Sequence, residues 1–272
     1  MQLDTGTVLF AFGLALFAGL ATGVGSLMTL LSNKFSPKFL AGALGFSAGV
    51  MIYVALIEIF DEAKDSLTGA LGDKAGYWAT VGAFFAGVAV IAIIDKLIPS
   101  YENPHEMHGQ PCEQKAKLDP NDPRLMRMGF FSAIAIAIHN FPEGLATFMA
   151  AIANPGLGIS IAIAIAIHNI PEGVAVSVPI YYATKSKKKA FWYSLLSGLA
   201  EPMGALIGFF LLRRWFNDIS FGIIFAGVAG IMVYISLDEL LPAAEEYGEH
   251  HIAIGGVIAG MVVMAVSLVL LA

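Results

Sequence analysis

The hexapeptide His-Asn-x-Pro-Glu-Gly occurs twice, as His139–Gly144 and as His168–Gly173, each time after an alternating Ile-Ala run. Imidazole nitrogen, carboxylate oxygen and amide oxygen are all metal donors, and no thiolate accompanies them. Such a set suits zinc, iron(II), manganese and cobalt, and disfavours copper(I). On a helix, residues four apart share a face, so His139 stacks with Glu143 and His168 with Glu172. Asn140 and Asn169 sit about 100° round from their histidines. A third acid, Glu201, lies in Gly-Leu-Ala-Glu-Pro. His139, Glu143, His168 and Glu172 would make a four-ligand, zinc-like site. Asn140, Asn169 and Glu201, sharing Glu143 and Glu172 as bridges, would make a second, oxygen-rich one. Pro142 and Pro171 lack an N–H and crowd the carbonyls of Ile138 and Ile167, which predicts a kink beside each ligand face. Gly144 and Gly173 predict close approach by a neighbouring helix.

Elements able to hold these residues follow from the solvent. The chain is 57% hydrophobic and 13% charged, about half the charged fraction of an ordinary soluble domain, so most of it is read as lipid-embedded. Between the charged islands lie eight apolar stretches: 7–31, 39–60, 76–98, 126–152, 157–182, 190–212, 220–241 and 252–271. Only the 99–125 connection is long, and one transmembrane domain over residues 1–272 is expected. The opening MQLDTGT has no basic n-region, so the first span is not read as a cleaved signal peptide. The lone Cys112 excludes an intramolecular disulfide. A net charge of −6 without a basic surface gives no reason to expect a nucleic-acid partner.

Ile-Ala alternation alone would suggest a strand. Inside a bilayer, however, only helices and closed barrels pair every backbone group, and barrel strands are about 10 residues long and alternate apolar with polar. The reading is therefore all-α: a polytopic helical bundle in which small residues, such as Gly19 with Gly23, Gly45 with Gly49 and Gly256 with Gly260, let helices approach. With both termini outside, the inner connections carry Lys34, Lys38, Lys96, Lys115, Lys117, Arg124, Arg127, Lys185 and Lys187–Lys189. The outer ones carry only Lys64, Lys74, Arg213 and Arg214. The positive-inside rule then makes the long loop cytoplasmic.

His139 and His168 each fall near the middle of a span, and Asn-Pro-Gly (154–156) is short enough to force an antiparallel hairpin. Both motifs then meet near the bilayer midplane about an approximate two-fold axis, with Glu201 at the same depth. Insertion scales put one buried carboxylate at about 2.5–3.5 kcal/mol, so three cost roughly 8–10 kcal/mol uncompensated. A divalent cation is the economical compensation, and its entry would release protons. A single buried His beside a Glu is often just a hydrogen-bonded pair; two copies plus Glu201 favour the metal.

These motifs resemble those of the ZIP (Zrt-/Irt-like) family of divalent metal transporters, most closely its bacterial ZupT-like branch: HNFPEG on the fourth span, HNIPEG on the fifth and Glu-Pro on the sixth. The resemblance covers essentially the whole chain. It implies a transported metal at a two-metal centre, with His139, Glu143, His168 and Glu172 at the first site. Asn140, Glu143, Asn169, Glu172 and Glu201 would form the second. Many members have Asp at the position of Asn169, so this chain has one negative charge fewer there. The resemblance also implies a broad substrate range (zinc, iron, manganese, cobalt), inward transport across a bacterial inner membrane, frequent homodimers and no organic cofactor.

Glu58, in LIEIFDEA at the end of the second span, and Asp238-Glu239, in LDELLPAAEE at the end of the seventh, sit at opposite faces of the membrane. Their likeness hints at a 3+2+3 inverted repeat, with metal capture at one mouth and release at the other; ordinary acidic helix ends are the alternative. His105, His108 and Cys112 in the long loop could collect metal or belong to a polar linker, and His250 and His251 read the same way. No G-x-x-x-x-G-K-[ST] is present, which favours downhill or proton-linked flux over an ATP-driven pump. Two rivals remain: a membrane-embedded di-metal enzyme and a metal-gated channel or sensor. The repeated motif spaces its ligands as His-x-x-x-Glu, unlike the Glu-x-x-His of di-iron bundles, and His-Glu-x-x-His is absent.

Overall fold

The computed structural model describes residues 4–31, 36–97, 123–212, 217–247 and 250–271. In chain order these form α1 (Thr5–Leu31), α2 (Pro37–Val54), a π segment (Ala55–Ile59), α3 (Phe60–Leu71), α4 (Asp73–Leu97), α5 (Pro123–Ala153) and α6 (Pro155–Thr184). Then follow α7 (Lys187–Gly198), α8 (Ala200–Leu212), α9 (Asp218–Ile235), a second π segment (Ser236–Leu240), α10 (Leu241–Tyr247) and α11 (His250–Leu271). No strand occurs among the described residues. Among the described residues, seven helical stretches are long and apolar enough to cross a membrane. The expected fourth span, α5, is not among them, although it is 31 residues long.

Two expectations need correction. The second span does not stop near residue 60; it continues through the π segment and α3 to Leu71, where Gly72, with a φ of 84°, makes the turn into α4. That left-handed backbone strains any side chain with a Cβ. The sixth span, Lys187–Phe210, is interrupted at the single residue Leu199, which divides it into α7 and α8; Glu201 still lies near the middle of that span, in the first turn of α8. Pro202 explains the break: it has no N–H to offer the carbonyl of Gly198 one turn earlier.

Burial ranks the helices. The most apolar window of α6 is 67% buried, against 17% for α4 and 22% for α11. So α6 is central, and α4 and α11 turn most of their surface outward. Phe17, Trp78, Phe85, Trp192, Phe210, Val262 and Leu270 are exposed, as lipid-facing positions should be in an integral membrane protein.

Lipid gives apolar side chains no reason to leave it, so the helices must be held by close packing and hydrogen bonds. The α2–α11 contact shows how. A Cβ on Gly45 would overlap the Ala253 carbonyl, and one on Gly49 the Val257 carbonyl. Reciprocally, one on Gly256 would meet the Gly42 carbonyl and one on Gly260 the Phe46 carbonyl. Gly49→Ala is therefore expected to drive these backbones apart at a cost of about 1–3 kcal/mol. Gly82→Ala, where nothing lies within 4 Å of the new methyl, should be neutral or stabilising. Thermal melts in detergent check the pair.

Candidate metal centre

One residue, Asn154, joins α5 to α6. Its Oδ1 accepts from the amides of Gly156 (2.8 Å) and Leu157 (3.3 Å), satisfying two of the unpaired donors at the start of α6. The resulting antiparallel hairpin brings the two motifs side by side. His139 Nε2 lies 3.1 Å from Glu172 Oε2, and His168 Nε2 lies 3.3 Å from Glu143 Oε2. Each imidazole thus meets the carboxylate of the other motif, not the one four residues along its own helix. Neither proline interrupts its helix: α5 runs on through Pro142 and α6 through Pro171. Gly144 and Gly173 behave as expected, since a Cβ there would overlap the carbonyls of Glu201 and Thr22, respectively.

The asparagines are held in a matching way. Asn140 Nδ2 donates to the Ser197 carbonyl at 3.3 Å, beside the break before α8. Asn169 Nδ2 donates to the Ala18 carbonyl on α1 at 2.9 Å and also to Glu201 Oε1. With each amide nitrogen committed, each Oδ1 is left over. Glu201 sits in the first turn of α8, where the positive end of the helix dipole favours a carboxylate.

All seven predicted ligands are at most 1% exposed. Six of them keep a buried atom with no hydrogen-bond partner: His139 Nδ1, Asn140 Oδ1, Glu143 Oε1, His168 Nδ1, Asn169 Oδ1 and Glu201 Oε2. An unpaired buried polar atom costs about 1–3 kcal/mol, so a cluster of them marks groups arranged for something other than stability. If Nε2–H is donated to the opposing carboxylate, a neutral imidazole carries its lone pair on Nδ1. Every one of these atoms can therefore donate a lone pair. Among the described residues no group of three or more His, Cys, Asp or Glu side chains stands ready to hold a metal ion; the imidazoles and carboxylates are paired across the two helices.

Some contributors had not been foreseen. Ser47 on α2 donates to the His168 carbonyl (3.2 Å) and lies 3.4 Å from Glu172 Oε1, bracing both ends of the second motif. A fully buried serine in an apolar span was the available signal. The Ala18 and Ser197 carbonyls carry no sequence signal at all.

The acids outside the centre are not where helix ends would put them. Glu58 lies within the first π segment and Asp238-Glu239 within the second. The first π segment packs on α9 and the second on α2, a reciprocal crossing. Glu58, Glu62, Tyr53, Asn154 and Ser160 line a cavity of about 610 Å³. Glu239 is 7% exposed. His105, His108 and Cys112 lie outside the described residues. His250 pairs with Glu245 on the exposed surface, Nδ1 to Oε1 at 2.7 Å, and stacks edge-on with His251.

A sequence model of the family described as ZIP Zinc transporter matches residues 99–268, well over half the chain. The chain belongs to the ZIP family. Among its relatives is the Zinc transporter ZupT of Chlorobium chlorochromatii, 68% identical over 267 residues that cover 98% of this chain and 99% of the relative. The Zinc transporter ZupT of Chlorobaculum parvum is 67% identical over 264 residues, 97% and 98% of the two chains. That of Clostridium perfringens is 61% identical over 274 residues, 97% and 96%. This is a transporter family rather than an enzyme family, which disposes of the di-metal enzyme as a reading of this ZIP chain.

The cross-pairing carries an energetic consequence. In chelated, metal-free protein, His139→Leu strands the Glu172 carboxylate and should cost about 3–5 kcal/mol, whereas His139→Leu with Glu172→Leu should recover much of it. Melting temperatures of the single and double variants in detergent check this.

Proposed function

We propose that the protein is a secondary transporter that moves divalent transition-metal ions (zinc, iron(II), manganese and cobalt) across the membrane. The route passes through a midplane centre of His139, Asn140, Glu143, His168, Asn169, Glu172 and Glu201. Membership of the ZIP family supports divalent metal transport in general. The observation that supports this centre is a set of six unpaired, buried donor atoms, five from the duplicated motifs on the antiparallel α5 and α6 and one from Glu201 on α8. As the cation arrives, Glu143 and Glu172 leave the opposing imidazoles for the ion, and the imidazole lone pairs join them. The nitrogen-bearing half favours zinc; the amide and carboxylate oxygens of Asn140, Asn169 and Glu201 favour harder ions. Protons held by the acids leave as the charge arrives.

The route proposed runs from the cavity bearing Glu58 and Glu62, through the centre, to Glu239 and Asp238. The two π segments, alike in sequence and packed on each other's helices, support a 3+2+3 inverted repeat as the plan of the bundle. Lysine and arginine asymmetry supports both termini outside, with the 99–125 loop in the cytoplasm, and hence inward transport. The location proposed is a bacterial inner membrane, and the assembly a homodimer.

Proteoliposomes enclosing a metal-sensitive dye test the reading with each of the four ions in turn. Saturable uptake by the wild type, reduced roughly 10–100-fold by His168→Ala and by Glu172→Ala, is the expected result. Tight metal binding with no flux would overturn it in favour of a sensor. Repeating the assay across an imposed proton gradient reads the coupling.

A further inference from the structure

Seven buried side-chain atoms have no hydrogen-bond partner among the described residues. Six belong to the proposed metal centre, and the seventh is Thr22 Oγ1 on α1. Thr22 is 0% exposed. A threonine inside a helix ordinarily satisfies its hydroxyl by donating to the carbonyl four residues earlier. Three others here do so: Thr80 to Gly76 at 2.9 Å, Thr147 to Glu143 at 3.0 Å and Thr184 to Ile180 at 2.7 Å. Thr22 does not. The carbonyl four residues before it is that of Ala18, which accepts instead from Asn169 Nδ2. A member of the proposed ligand set has taken the local partner, and the hydroxyl is left facing elsewhere.

The surroundings show where. A Cβ built on Gly198 would lie 2.7 Å from Thr22 Oγ1, and one built on Gly173 would overlap the Thr22 carbonyl. Gly173 is one helical turn beyond Asn169, and Gly198 is three residues before Glu201. The Thr22 hydroxyl therefore lies against Gly198, on the chain leading to Glu201, and its backbone carbonyl against Gly173, on the helix bearing Asn169. The unpaired oxygens of Asn169 and Glu201 are the nearest groups of the same chemistry along those two chains.

We propose that Thr22 is a further oxygen ligand in the oxygen-rich half of the centre, taking the cation as it passes Asn169 and Glu201. The inference rests on the transport reading above. A neutral hydroxyl oxygen beside an amide and a carboxylate oxygen adds a hard donor without charge, so its contribution is largest for manganese and iron(II) and smallest for zinc.

Thr22→Val keeps the shape and removes the hydroxyl; Thr22→Ser keeps the hydroxyl. In proteoliposomes, Thr22→Val should raise KM for manganese roughly tenfold, with a smaller change for zinc, while Thr22→Ser stays close to wild type. A purely structural threonine predicts the reverse: deleting an unpaired buried hydroxyl would leave transport unchanged and the melting temperature equal or higher. Thr22→Val transporting manganese like the wild type, in a preparation where His168→Ala is dead, overturns the assignment of Thr22 alone. Absence of wild-type flux overturns the transport reading instead; manganese affinity of the purified protein by calorimetry then decides Thr22, weakened by Thr22→Val if it is a ligand and unchanged if it is not. Should Thr22→Val fail to fold, Thr22→Ala against Thr22→Ser gives the same comparison.

Discussion

Two imidazole–carboxylate pairs, His139 with Glu172 and His168 with Glu143, are the constraint around which the bundle is arranged. A carboxylate in lipid needs a partner, and here each finds it on the opposite helix. That arrangement requires α5 and α6 to be antiparallel and in one register, and Asn154 supplies both. It also requires neighbours that come close without filling the space with side chains. Gly144 and Gly173 provide this, letting the backbones of α8 and α1 lie against the ligand-bearing helices. The backbones of α1 and α7 also hold the motifs: the carbonyls of Ala18 and Ser197 accept from the amide nitrogens of the two asparagines and leave their oxygens without a partner.

The membrane character, the helical class and the hairpin of α5 with α6 were legible in the sequence. They rest on contiguous apolarity and on a short turn, both local properties. The burial of the duplicated motifs and Glu201 was legible because the motif is written twice and because polar residues in the middle of a span are costly. What was not legible depends on which helix faces which. Ile-Ala alternation and i, i+4 spacing put His139 with Glu143, yet the partner across the interface won, since a facing carboxylate offers its oxygen directly to the ring. Ser47 was overlooked because a lone serine in an apolar span is also compatible with simple packing. The break at Leu199 was written in Pro202, but proline can equally be absorbed, as α5 and α6 show at Pro142 and Pro171.

The π segments teach a similar lesson. Ala55–Ile59 and Ser236–Leu240 resemble one another in sequence and were read as helix ends because acids usually mark water. In the fold each lies within a continuous helical run, widening its helix where it packs on the other's. Such widenings occur where a helix bends or presents a side chain that a regular turn would hide. Glu58 is presented in this way to a cavity, and Glu239 is buried.

The single-residue link at Asn154 has a consequence for how the chain tolerates change. Packing does not choose the alignment of the two motifs; covalent length does. Counting outward from Asn154, each histidine and the opposing glutamate sit at paired distances along the two arms. A residue gained or lost on one arm would displace one motif by about 1.5 Å and turn it through about 100°, presenting isoleucine or asparagine where imidazole now stands. Substitution can be absorbed almost anywhere along these arms, whereas insertion and deletion between His139 and Glu172 cannot.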